Sequence, residues 1–191
     1  MRTVTRLGAL ALLIGAGIGV WSLRSTGAEA AIAIGSDVAV SGATPEQVEM
    51  VRWAVGRFEA AGLEAPPVEI RFHGDAAGCG GHLGYAKAGK VDVCTTLVNT
   101  MARRNLLHEM SHIWLDVNAG PDVRERFLEL RDLSSWNASA DAWEFRGYEQ
   151  GAEIISWAIG ERILSAQVPD DDPAALEAGF ETLTGTALPT S

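Results

Sequence analysis

The sequence has few cysteines, few histidines and few basic residues, and each shortage limits the kinds of functional site that the protein can contain. It has 191 residues, of which two are cysteines and four are histidines, and 15 basic residues stand against 25 acidic ones for a formal net charge of -10. A surface that binds nucleic acid needs clustered Lys and Arg, so the acidic balance argues against a nucleic-acid partner. The composition is otherwise ordinary, with 47% hydrophobic and 21% charged residues, which argues against a disordered chain or a multi-span membrane protein. A chain of this length predicts a single domain.

One long apolar run is present, and it lies near the N-terminus. Two arginines precede the run at residues 7–23, and the small-residue pattern Ala-Glu-Ala follows at 28–30. This layout is typical of a secretory signal peptide, and we place the cut after the last of these three residues. The alternative is a retained membrane anchor, because the run is at the short end of the lengths that span a bilayer and a further arginine flanks it. Both interpretations of residues 1–30 predict an extracytoplasmic domain, either secreted or attached to a membrane through residues 7–23.

The two cysteines, Cys79 and Cys94, are expected to form a disulfide, because an exported protein matures where such bonds persist. The bond would close a short loop, which contributes on the order of 3 kcal/mol to stability in the chain-entropy description. Two alternatives stay open. The thiols could be free and half-buried, or they could form a metal knuckle with His82, which would lack a fourth ligand.

The first half of the chain shows helical and then strand periodicity. Residues 31–43 are small and polar, which predicts a linker or a loose first strand. A helix is predicted to begin at Thr44, where Gln47 completes a capping box. Apolar residues then alternate with polar ones at 68–72, which predicts a half-buried strand. In the glycine-rich stretch that follows, HLGY and VDVC flank a turn at Ala88-Gly89-Lys90, which predicts a hairpin.

Four helices are predicted after the hairpin. The first runs from about Thr100 to Val117 and has apolar residues on more than one face, so it should be buried on most sides. The others begin near Pro121, Tyr148 and Pro173. The predicted core side of the second helix carries Val123, Phe127 and Leu130. This order of elements predicts an α+β domain over residues 44–191, in which a short antiparallel sheet packs on the buried helix and on the further helices.

The segment LLHEMSHIW, Leu106 to Trp114, carries the strongest chemical signal. Its histidines, His108 and His112, are four residues apart, so on an α-helix they lie about 40° and 6 Å apart on one face. Both imidazoles can then bind one ion, and zinc takes histidine nitrogen at about 2.0 Å. Glu109 lies at the edge of that face, where its carboxylate can act as a general base on a water molecule that the metal activates. The alternative is a buried helix with two core histidines and a stray glutamate.

A third ligand must come from elsewhere, since no histidine follows His112. In YEQGAEIISW the carboxylates of Glu149 and Glu153 lie four residues apart on one face of an otherwise apolar helix. Burial of two acids is unfavourable unless a cation neutralises them, and a zinc ion does so. The alternative is a solvated acidic edge.

HEMSH followed by a helical ExxxE resembles the gluzincin group of zinc metallopeptidases. The lack of a histidine after His112 excludes the extended metzincin pattern. By position, the resemblance implies one Zn²⁺ ion held by His108, His112 and Glu149, with Glu109 as the general base and Glu153 orienting one histidine. If Glu153 is the direct ligand, the two acids exchange roles. The resemblance also implies a small zincin-like fold in which a sheet edge lies along the cleft and binds an extended substrate backbone.

One part of that pattern is missing. Large members of the group use a further histidine to hold the oxyanion, and this sequence has none in that place. Tyr148, Arg146 or His82 could donate the hydrogen bond instead. We therefore predict an exported zinc metallopeptidase that hydrolyses peptide bonds in a peptide or protein substrate. Two alternatives stay open, namely a non-catalytic binding or sensing module that zinc stabilises, and a zinc hydrolase of a non-peptide amide such as a cell-wall linkage.

Overall fold

The sheet is built around a strand, helix and strand unit. The computed structural model describes residues 31–189. Strand β1 (Ile32–Ile34) pairs antiparallel with β2 (Val38–Ser41). Helix α1 (Pro45–Ala60) follows, and strand β3 (Val68–Phe72) then pairs parallel with β2. A parallel pair needs a crossover connection, and α1 provides it.

Helix α1 begins as the sequence predicts. The side chain of Thr44 accepts a hydrogen bond from the backbone of Gln47, and the side chain of Gln47 accepts one from the backbone of Thr44, so the capping box is complete. Gln47 also donates to the carbonyl of Thr95, just beyond the sheet. After the helix, Gly62 has a φ of 73°, a conformation that favours glycine.

The strand rather than the linker is the correct interpretation of residues 31–43, because β1 and β2 occupy most of this segment. Val38 and Val40 are buried and alternate with the half-buried Ala39 and Ser41, which is the period of two of a strand. The backbone hydrogen bonds of β2 go to β3, whose residues are distant in sequence. Only the short alternation of buried and half-buried residues could therefore have indicated β2.

The predicted hairpin is present, with β4 (Gly84–Lys87) paired antiparallel with β5 (Lys90–Val93). Ala88 and Gly89 in the turn both have positive φ, as a two-residue hairpin turn with the twist of the strands requires. The whole sheet has the order β1-β2-β3-β5-β4, and β3 pairs parallel with β5. The prediction of an antiparallel sheet is therefore wrong, since the sheet is mixed, with β4 at one edge.

The predicted disulfide between Cys79 and Cys94 is also present, with 6.0 Å between the two Cα atoms. It joins the 3₁₀ turn Ala76–Cys79 to the residue that follows β5. Nearby, the backbone N–H of Cys94 donates to the carbonyl of Leu83, just before β4. The crosslink thus fixes the loop that leads into the edge strand.

Four helices follow the sheet, each starting within one residue of its predicted start. They are α2 (Thr100–Asn118), α3 (Pro121–Leu130), α4 (Gly147–Ile159) and α5 (Pro173–Thr184). In α2, the Asn99 side chain caps the first turn by accepting from the backbone of Ala102.

Two details of these helices differ from the sequence pattern. The segment YEQGAEIISWAIGERIL predicts a helix up to Leu164, but α4 stops at Ile159. The Arg57 side chain donates to the carbonyls of Ile159 and Gly160 and so satisfies the end of the helix. In α3, Phe127 is fully buried and Val123 is half-buried, but Leu130 is 47% exposed. The prediction that Leu130 lies on the core side is therefore wrong, since the residue stands at the last position of a helix that ends at the surface.

Strands and helices together form an α+β domain with one hydrophobic core. Helix α2 packs against β4, β5 and α4, and α4 packs in turn against α5. Among residues 31–189, no helix has the length and apolar character needed to cross a membrane. The predicted leader at residues 1–30 lies outside the described residues.

Candidate metal centre

The candidate site is formed where α2 crosses α4. Every residue of α2 from Leu106 to Leu115 is buried, including four polar ones, His108, Glu109, Ser111 and His112. Buried polar side chains need partners, because an unpaired one costs about 1–3 kcal/mol. The partners for this face of α2 come from the first two turns of α4.

Three side-chain atoms converge between the helices. The Nε2 atoms of His108 and His112 are 3.1 Å apart, and the Glu149 Oε2 atom lies 3.5 Å from the first and 3.1 Å from the second. Ligands at about 2.0–2.1 Å from a tetrahedral zinc ion are separated by about 3.3 Å, so the spacing matches three corners of such a site. Two imidazole nitrogens and one carboxylate oxygen are also a typical zinc ligand set. These three residues could therefore hold a metal ion.

The shared carboxylate gives the two histidines different acid–base behaviour. Burial lowers the pKa of His108, but its contacts with the carboxylates of Glu149 and Glu153 outweigh this effect and raise the pKa to about 9. For His112, burial dominates and the pKa is lowered. Burial raises the pKa of Glu149, but hydrogen bonds to both histidines outweigh it and lower the pKa to about 2. Without metal, the cluster therefore holds one imidazolium, one neutral imidazole and one carboxylate near pH 7.

Glu153 lies on the opposite edge of the His108 ring. Its Oε1 atom is 3.3 Å from His108 Nδ1, an ion-pair contact whose angle is not that of a regular hydrogen bond. Its Oε2 atom accepts hydrogen bonds from the Arg104 side chain and from the backbone N–H of Gln167. Burial raises the pKa of Glu153, but the interaction with His108 and the charge of Arg104 outweigh it and lower the pKa. Glu149 rather than Glu153 thus belongs to the group that could hold a metal, and Glu153 contacts the ring nitrogen that faces away from it.

Glu109 lies beside the cluster and is 7% exposed. Burial raises the pKa of its carboxyl to about 7; the charge of Glu149 adds to the rise and that of His108 opposes it. The carboxyl can therefore exchange a proton near neutral pH. It faces β4 at Gly84, where an added Cβ atom would lie 2.8 Å from Glu109 Oε1.

All of these groups line one cleft of about 910 Å³. The edge strand β4 forms one side, α2 forms the floor, and the segment between α3 and α4 forms the other side with Trp136 and Trp143. The Trp143 ring is stacked near His108, with 6.0 Å between ring centroids and 27° between planes. An extended ligand in the cleft could thus contact the sheet edge on one side and aromatic rings on the other.

The three predicted oxyanion donors all line the cleft. The donor groups of two of them, Tyr148 and Arg146, have protein partners. The Tyr148 ring packs on His112 with 4.2 Å between centroids, and its hydroxyl lies within hydrogen-bond distance of Asp116 and of the His112 carbonyl. Arg146 donates twice to the carbonyl of Asp141. His82 is exposed in the loop before β4. Of the three, Tyr148 lies closest against a candidate metal ligand.

Two residues that the sequence patterns did not single out also lie at the site. Arg104 precedes His108 by four residues and Asn105 precedes Glu109 by four, so each shares a helix face with a residue of the candidate site. Both line the cleft. The helical spacing of four that relates His108 to His112 could have identified them.

In comparisons with protein-family models, with curated proteins and with solved structures, nothing matches the chain.

Proposed function

We propose that this chain is an exported zinc-dependent metallopeptidase of small zincin-like fold that hydrolyses peptide bonds. The observation that supports this best is the convergence of His108, His112 and Glu149 at tetrahedral spacing, with Glu109 next to them in an open cleft. In this proposal the resemblance of HEMSH and EQGAE to the gluzincin pattern reflects a shared mechanism.

The three ligand residues would hold one zinc ion, and Glu153 would keep His108 in orientation through its Nδ1 atom. Zinc, when bound, lowers the pKa of water and polarises a substrate carbonyl. Glu109 acts as the general base, taking a proton from the attacking water and passing it to the leaving amine. Its pKa of about 7 suits both transfers, because a group that titrates near the working pH can accept and release a proton.

A peptide is the substrate class that the cleft wall favours. Strand β4 is at the sheet edge and lines the cleft from Gly84 to Lys87, so its outer backbone groups are available to an extended chain. Tyr148 is the donor we assign to the oxyanion, with its hydroxyl released from Asp116 when substrate enters. Export is supported by the disulfide, since such bonds persist outside the cytoplasm.

The test is to replace the general base, Glu109, and to measure both the zinc content and the peptidase activity of the variant. Glu109→Gln should leave about one zinc ion per chain and lower cleavage of a peptide library by at least about 100-fold, because only proton transfer is removed. Glu125→Gln, the same change at an exposed position of α3, is the matched control and should keep full activity. Chelation of the wild-type metal should abolish cleavage and added zinc should restore it. Activity that persists in Glu109→Gln would exclude this residue as the base.

A second candidate is a binding or sensing module that zinc stabilises without catalysis. It is favoured by one observation, that Tyr148 and Arg146 direct their donors to protein acceptors rather than into the cleft. Zinc bound at full occupancy without cleavage of any library peptide would support this candidate. Cleavage of non-peptide amides alone would instead indicate a hydrolase of such linkages.

A further inference from the structure

A buried hydrogen-bond donor next to Glu109 has no partner. The Asn105 Nδ2 atom is inaccessible to solvent and makes no hydrogen bond within the described chain. Leaving such a group unpaired costs about 1–3 kcal/mol, so we expect this donor to have a hydrogen-bond partner in some state of the protein. Asn105 and Glu109 are four residues apart on α2, which places their side chains on one face.

Gly84 on β4 brings the two side chains together. A Cβ atom added at this glycine would lie 2.4 Å from Asn105 Nδ2 and 2.8 Å from Glu109 Oε1, distances that real Cβ contacts do not reach. The edge strand therefore packs its bare backbone directly on both polar groups. Any larger residue at position 84 would displace at least one of them.

The choice of partner follows from burial. Because Nδ2 is closed to solvent, a substrate in the cleft cannot reach it without rearrangement. The carboxylate of Glu109 can reach Nδ2, since this carboxylate lies against the same glycine. That carboxylate needs a donor, because it is 7% exposed and a buried polar group is normally hydrogen-bonded.

We propose that Asn105 is a positioning residue for Glu109, donating from Nδ2 to its carboxylate in the metal-loaded protein, and that Gly84 is the residue that leaves room for this contact. The hydrogen bond fixes the carboxylate over the cleft while the helix supplies the metal ligands. The kinetic part of this inference rests on the proposed peptidase function, but the contact itself does not.

The contact can be tested without activity. In the zinc-loaded wild-type protein, the side-chain amide of Asn105 should give an NMR signal shifted from the free-amide position and protected from hydrogen exchange. Glu109→Leu, which removes the acceptor but keeps the volume, should move that signal and remove its protection. An Asn105 amide signal unchanged by Glu109→Leu would overturn the proposal, whether or not the protein cleaves peptides.

The kinetic test uses three variants at constant zinc content. Asn105→Leu and Gly84→Ala should each lower kcat by about 10- to 100-fold with little change in KM, as expected when a catalytic group is misplaced. The double variant should lose no more than either single one, because both changes disturb the same contact. Asn118→Leu, at an exposed position near the end of the same helix where the side chain donates to the carbonyl of Trp114, is the matched control and should keep the wild-type kcat. Full kcat in Asn105→Leu, or additive losses in the double variant, would contradict the proposal.

Discussion

His108 and His112 lie one turn apart on the same helix, yet their surroundings give them opposite protonation near pH 7. His108 contacts two carboxylates, one at each ring nitrogen, and its pKa is raised to about 9 because these contacts outweigh burial. His112 contacts one carboxylate, and burial lowers its pKa. A metal ion can bind only neutral imidazole, so it must displace a proton from His108 and none from His112.

This difference predicts that zinc binding releases about one proton per ion at pH 7. The pKa of His108 in the metal-free protein is about 9, so His108 is protonated below that pH and metal competes with the proton. The apparent zinc affinity should therefore fall about tenfold for each unit that the pH drops below 9, and it should level off above 9. Calorimetric titration in two buffers of different ionisation enthalpy measures the proton count. Release of no protons at pH 7 would show that His108 is neutral before metal binds.

The sequence predicts the residues of the candidate site better than the residues that contact and orient them. The four residues His108, Glu109, His112 and Glu149 are recognisable because their chemistry and their helical spacing coincide, and the structure brings them together. Which of Glu149 and Glu153 faces the ion could not be decided, since both lie on one helix face and only the rotation of α4 against α2 separates them. Asn105 lies one helical turn before Glu109, which could have indicated it, but its role depends on contact with a strand, and that contact follows from tertiary packing.

At the scale of elements, local signals were sufficient for the helices and the hairpin but not for the sheet. The capping box of α1 and the two-residue turn between β4 and β5 are made by neighbours in sequence, and both were predicted. For the segment that contains β2, the sequence leaves a linker and a strand open, because four small residues carry little periodicity and the hydrogen bonds that hold the strand go to β3. Strand direction is non-local in the same way, so parallel pairing of β3 with β5 could not be read from either segment alone.

The disulfide is the element-scale feature that should matter most for stability. Cys79 and Cys94 are 15 residues apart, and closing a loop of that size contributes about 3 kcal/mol. Replacing both with serine should lower the free energy of unfolding by about this amount in urea denaturation of the metal-free protein. Reductant should weaken the wild type by a similar amount and leave the double variant unchanged. If the double variant unfolds at the wild-type midpoint, the loop before β4 is held without the bond.

At the scale of the whole molecule, the candidate ion lies between the two helices that organise the core. Helix α2 packs on the hairpin strands and on α4, and α4 connects to α5, so most of the domain is in contact with one of the two. The cluster brings two histidines from one helix and a carboxylate from the other within 4.8 Å of one another. An unfolded chain cannot hold this arrangement, so metal binding should be coupled to global folding.

We therefore expect zinc to raise the melting temperature of the whole domain. At a free zinc concentration of 100 times the dissociation constant, binding to the folded state alone adds about 2.7 kcal/mol, which corresponds to about 5–10 °C for a domain of this size. Glu149→Gln should lose most of this increase because it removes one ligand. Glu109→Gln is the matched control, the same chemical change in a cleft residue outside the ligand set, and it should keep the full increase. Differential scanning calorimetry with and without zinc measures the melting temperatures of both variants. If a His108→Ala/His112→Ala variant showed the same zinc-dependent rise in melting temperature as the wild type, the ion would bind elsewhere in the protein.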